Sequence, residues 1–62
     1  MPAERDIIFE FLQVGPSVKV TAIDVATGVE TSIVGDPAAG EGALKRLAKQ
    51  KLDYVMAKQG KT

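Results

Sequence analysis

Two short interruptions, Gly15-Pro16 and Ala26-Thr27-Gly28, constrain this 62-residue chain more than any other feature. They cut its first half into three apolar runs. The first, residues 7–14, reads Ile-Ile-Phe-Glu-Phe-Leu-Gln-Val, rich in the β-branched and aromatic residues of strands. Gly15 at the first central position suits a type II′ turn, and the fixed φ of Pro16 is tolerated at the second. The next run, residues 17–25, alternates with period two through Val18, Lys19, Val20 and Thr21. Thr27-Gly28 then suits a short hairpin, and a third run covers 29–34 before Gly35. Connections this short predict an antiparallel meander with the second strand in the centre.

Asp36-Pro37 is a helix start signal, with Asp as N-cap and Pro pre-set for the first helical position. The helix is expected over 37–59. Gly40 and Gly42 weaken its first turn, so regular helix is expected from nearer Glu41. Leu44, Leu47, Ala48, Lys51, Leu52 and Val55 form an i, i+3, i+4 stripe widened by Tyr54 and Met56. Lys51 within that stripe is expected to snorkel along the helix–sheet boundary. Gly60 is a natural stop. The predicted fold class is α+β: a three-stranded antiparallel β-meander followed by one C-terminal amphipathic helix packed on one sheet face, in a single domain.

The tight first turn and a four-residue loop before Val29 fix which side chains share a face. Phe9, Phe11, Val18, Val20, Ala22, Val29 and Ile33 should meet the helix, with Phe11 and Val20 as neighbours beneath Leu44, Leu47 and Val55. The second face should carry Ile8, Leu12, Val14, Ile23, Val25 and Val34 among Glu10, Lys19, Thr21, Glu30 and Ser32. A one-residue slip in the second hairpin would swap the third strand's faces. One helix covers one face of such a sheet, so the six apolar residues of the other form a candidate association surface. Two covers are open for it: the N-terminal residues and Lys19 of the same chain, or a partner. The first strand is also a candidate sheet edge, with no Pro and no Lys to guard it.

Chemistry finds little support. The chain has no Cys and no His, so it lacks thiolates, disulfides and the commonest metal ligand and general base. The stretch from Gly35 to Gly40 has the spacing of a phosphate-binding loop, but Glu41 and Gly42 stand where Lys and Ser or Thr are needed. Glu10 and Glu30 should point to one face from the two outer strands, about 10 Å apart across the central strand, which suits charge pairing better than acid–base work. Asp24 reads as a cap of its own loop. Tyr54 reads as a core-edge residue. The expectation is a protein without catalytic, cofactor-binding or metal-binding residues, and without a small-molecule substrate.

Charge is balanced overall but not along the chain. Residues 1–42 carry two basic and seven acidic side chains, and residues 43–62 carry six basic and one acidic, so net −5 is followed by net +5. The basic helix, through Lys45, Arg46 and Lys49, is the single nucleic-acid signal. The absence of a positive excess argues against that reading. Residues 1–6 are polar and acidic rather than signal-like, and no apolar run approaches a membrane span, so a cytoplasmic protein is expected.

Phe9-Glu-Phe-Leu-Gln-Val-Gly15, Val18-Lys-Val-Thr-Ala-Ile-Asp24, Ala26-Thr-Gly28, Ser32-Ile-Val-Gly35 and Lys51-Leu-Asp-Tyr-Val55 carry a resemblance. Over about residues 7–60 the chain is similar to a family of short uncharacterised alphaproteobacterial proteins, a domain of unknown function. The resemblance implies a bacterial cytoplasmic origin and brings no activity, cofactor or site residue. The expected function is therefore protein association through the second sheet face or the first-strand edge. A homodimer is the first expectation, an accessory subunit of a larger assembly the second, and nucleic-acid binding by the basic helix the alternative.

Overall fold

The structure, a computed structural model, describes residues 6–59. The element order is β1 (Ile7–Val14), β2 (Ser17–Asp24), β3 (Glu30–Gly35), a single 3₁₀ turn (Pro37–Ala39) and α1 (Glu41–Lys58). The strands form one open antiparallel sheet in the order β1-β2-β3, and α1 packs on one side of it. This is the expected β-β-β-α architecture, and the element bounds fall within a residue or two of expectation up to the helix. Gly60, the expected helix stop, lies outside the described residues.

Both hairpin registers follow from their turns. Gly15 has φ 58, a value that costs a side-chain-bearing residue but not glycine. The turn joins Val14 to Ser17, which sets Phe11 opposite Val20 and Phe9 opposite Ala22. In the second hairpin Asp24 N–H donates to Val29 O at 2.8 Å, Gly28 N–H to Asp24 O at 2.8 Å and Thr27 N–H to Asp24 Oδ1 at 3.1 Å. Val20 then faces Ile33 and Ala22 faces Thr31, so no slip occurs and each strand keeps the face predicted for it. Asp24 is 2% exposed and caps its loop as expected. Replacing it with Ala strands the Thr27 amide, and we expect a loss of about 1–3 kcal/mol in urea unfolding. A loss near zero would show that water substitutes freely there.

The helix start differs in detail. Asp36 Oδ1 accepts from Ala38 N–H at 2.9 Å, so the cap closes the 3₁₀ turn rather than α1. Gly40 then separates the two, and α1 begins at Glu41. Leu44 settles directly over Gly35: a Cβ there would come 2.5 Å from Leu44 Cδ2. Glycine at the end of β3 is what gives the Leu44 side chain its place there.

The core consists of Val20, Ala22, Leu44, Ala48, Leu52 and Met56, with Ile7, Phe9, Val18, Val29 and Ile33 packed against it. Two expectations need correction. On the helix, Leu47 is 51% and Tyr54 63% exposed, so neither lies on the core stripe, whereas Met56 is buried. The buried residues recur every four positions, and four residues overshoot a 3.6-residue turn, so the buried line winds around the helix away from Leu47. Phe11 does neighbour Val20 but is 36% exposed, because α1 lies over β2 and β3 and leaves β1 largely uncovered.

Candidate association surface

The face opposite the helix is built by the pleat alone. Alternation along three registered strands lays its side chains out in rows. Ile8, Ile23 and Glu30 form one row; Glu10, Thr21 and Ser32 the next; Leu12, Lys19 and Val34 the third; and Val14 with Ser17 the last. The structure thus brings together Ile8, Leu12, Val14, Ile23 and Val34 on one surface. Val25 continues at its end, where its N–H bonds Asp6 O at 3.1 Å.

The surface is not one unbroken patch. The polar middle row, closed by a 2.9 Å hydrogen bond between Thr21 Oγ1 and Ser32 Oγ, divides it into two apolar islands. Ile8, Ile23 and Val25 lie on one side of that row; Leu12, Val14 and Val34 lie on the other, with Lys19 between Leu12 and Val34. Leu12 is 61% and Val34 68% exposed, and Ile8, Val14 and Val25 are each about half exposed. Lys19, itself exposed between Leu12 and Val34, does not cover them. The N-terminal residues 1–5, the other cover considered, lie outside the described residues.

The two edges of the sheet are unlike. Asp6 C=O points to β2, and direction alternates along a strand, so the even residues of β1 bond β2 and the odd ones point outward. Ile7, Phe9, Phe11 and Gln13 therefore turn their N–H and C=O groups to the outer edge. In β3 Val29 C=O points to β2, which turns Ser32 C=O outward. That carbonyl accepts a 2.8 Å hydrogen bond from Lys51 Nζ. The lysine embedded in the apolar stripe thus reaches past the helix flank and guards the β3 edge. Its odd place in the stripe was a signal; its acceptor was not readable from spacing.

The basic residues of the helix are partly engaged. Lys49 Nζ sits 3.1 Å from Asp53 Oδ2, an exposed i, i+4 pair, and Lys45 Nζ lies 5.8 Å from the centre of the Phe9 ring. Arg46 is exposed. Glu10 and Glu30 share the second face in different rows, with Thr21 and Ile23 of β2 beside them. Among the described residues no three acidic, His or Cys side chains cluster as a metal site would require, and no helix is long and apolar enough to cross a membrane.

A family model, "Domain of unknown function (DUF6898)", matches residues 4–59, nearly the whole chain. The chain belongs to the DUF6898 family. The resemblance carried by the strand and helix motifs is thereby placed in a family. No curated protein and no solved structure matches the chain.

Proposed function

We propose that this DUF6898 domain works by association with a second copy of itself through the sheet face opposite the helix, and not by catalysis. One observation carries the reading: Ile8, Leu12, Val14, Val25 and Val34 stand at least half exposed on that face. Apolar surface left in water costs about 25 cal/mol per Å², and a two-fold pairing removes the same surface from both chains. The rows suit such pairing. A two-fold axis lying in the sheet, across the strands at the polar row, sets each apolar island over the other chain's second island. It also brings the row containing Glu30 over the row containing Lys19, so opposite charges approach. We place the domain in the bacterial cytoplasm on the resemblance that its strand and helix motifs carry. Nucleic-acid binding is the weaker reading, since Lys49 is tied to Asp53 and the chain carries no net charge.

The test is sedimentation at tens of micromolar. Wild-type protein is expected to be larger than a monomer. Ile23→Lys, which places a charge between Ile8 and Glu30, should lower the sedimenting mass by about half with an unchanged circular dichroism spectrum, as an isologous contact is lost. A variant of unchanged mass would overturn the face as the contact. An oligonucleotide complex of sub-micromolar affinity that weakens steeply with salt would favour the basic helix instead.

A further inference from the structure

We infer that the outer edge of β1 pairs antiparallel with β1 of a second copy, centred on Phe11, to give a continuous six-stranded sheet with both helices on one side. This rests on the reading that the chain associates with itself, and it adds an interface distinct from the sheet face. The observation behind it is the inequality of the two edges. Exposed edges are normally blunted by lysine, proline or a bulge. The β3 edge has its guard, Lys51 on Ser32 O. The β1 edge is an unbroken strand of eight residues whose one charged side chain is Glu10, and its outward N–H and C=O groups run through Ile7, Phe9, Phe11 and Gln13.

The occupant follows from symmetry and charge. A strand pairing β1 of one copy to β3 of the next would leave open ends and propagate, and Lys51 obstructs it. Pairing β1 with β1 closes on itself. With a two-fold axis normal to the sheet, paired residue numbers must sum to an even value, or the two helix-bearing faces would not match. Two sums overlap seven residues of each strand. The sum of 20 sets Glu10 against Glu10 of the second copy, and like charges directly opposed are destabilising. The sum of 22 sets Phe11 against Phe11, Phe9 against Gln13 and Glu10 against Leu12. It uses only outward-pointing backbone groups for the hydrogen bonds and gives the part-exposed Phe11 ring an aromatic neighbour. The edge contact uses the rim of β1 and the face contact the side opposite the helix, so neither occupies the other's surface.

The first measurement is amide exchange of the unmodified protein at rising concentration. The Phe9, Phe11 and Gln13 amides should slow by at least about tenfold as pairing protects them. A half-labelled, half-unlabelled sample should show an intermolecular Glu10 Hα–Leu12 Hα contact, since that pair lies in the closer, non-hydrogen-bonded position. Phe11→Pro removes one outward N–H while sparing the bonds to β2, a change edge strands accept. It should halve the assembly mass and abolish the protection, whereas Ile23→Lys should leave the protection in place. Loss of all association in Ile23→Lys, with β1 amides exchanging freely at every concentration, would overturn the edge pairing and leave the face contact standing. Loss of association in Phe11→Pro alone would support the edge and overturn the face. A wild-type chain that is monomeric at millimolar concentration would overturn both. Should Phe11→Pro fail to fold, the exchange of the unmodified protein decides the matter.

Discussion

Truncating Leu52 to Ala is expected to cost about 2–5 kcal/mol, and truncating Leu47 in the same way less than about 1 kcal/mol. The two leucines are five positions apart on one helix and share a helix propensity. Their surroundings differ. Leu52 is fully buried among Val20, Ala22, Ala48 and Met56 of the core, whereas Leu47 is half exposed. Removing Leu52 leaves a cavity that the sheet beneath cannot fill, since strands in register do not sag independently. A domain of this size holds only a few kcal/mol in reserve, so Leu52→Ala is expected to be largely unfolded at physiological temperature. Chemical denaturation followed by circular dichroism reads both variants. Equal losses would mean that the helix is rotated about its axis and that the uniform i, i+3, i+4 stripe was the right guide after all.

That contrast also marks where the sequence stops being legible. The strand order, the first register and the faces of β1 and β2 were readable because the first turn is short: once Gly15-Pro16 makes a two-residue connection, the pairing of Phe11 with Val20 has no freedom left. The β3 register stayed open to a one-residue slip in the sequence, and the bonds of the loop that Asp24 caps decide it. The helix had no such anchor. Leu44, Leu47, Ala48, Lys51, Leu52 and Val55 all fit one stripe, and periodicity cannot say which of them the helix buries when it crosses the sheet obliquely. Tertiary packing decides it, and here Leu44 settling over Gly35 fixes one end of the helix against β3. The consequence reaches the candidate surfaces. A helix displaced toward β3 puts Lys51 within reach of Ser32 O, guards that edge, and leaves Phe11 uncovered beside the other. Alternation and a single helix already placed Ile8 and Leu12 on the face away from the helix, whereas Val34 joins them only through the β3 register. Its division into two islands did need the registers, because only they align Glu10, Thr21 and Ser32 in one row.

The closeness of helix and sheet sets the other large effect. Ala22 at the centre of β2 and Ala48 in the middle of α1 are both completely buried in the same core. Two such small side chains allow the helix backbone to lie close to the central strand. Replacing Ala48 with Leu adds three carbons where no space exists, and the expected cost is about 1–3 kcal/mol from displaced neighbours and forced rotamers. Helix propensity cannot account for such a loss, since Leu is nearly as good a helix former as Ala. The comparison variant is Ala57→Leu, at an exposed position of the same helix, for which a change within about 0.5 kcal/mol is expected. For a domain of this length each kcal/mol moves the melting temperature by roughly 4–8 °C, so thermal unfolding separates the two variants readily. An Ala48→Leu protein that melted at or above the wild-type temperature would reveal a void between α1 and β2, and with it a looser helix than the burial of Ala22 and Ala48 describes.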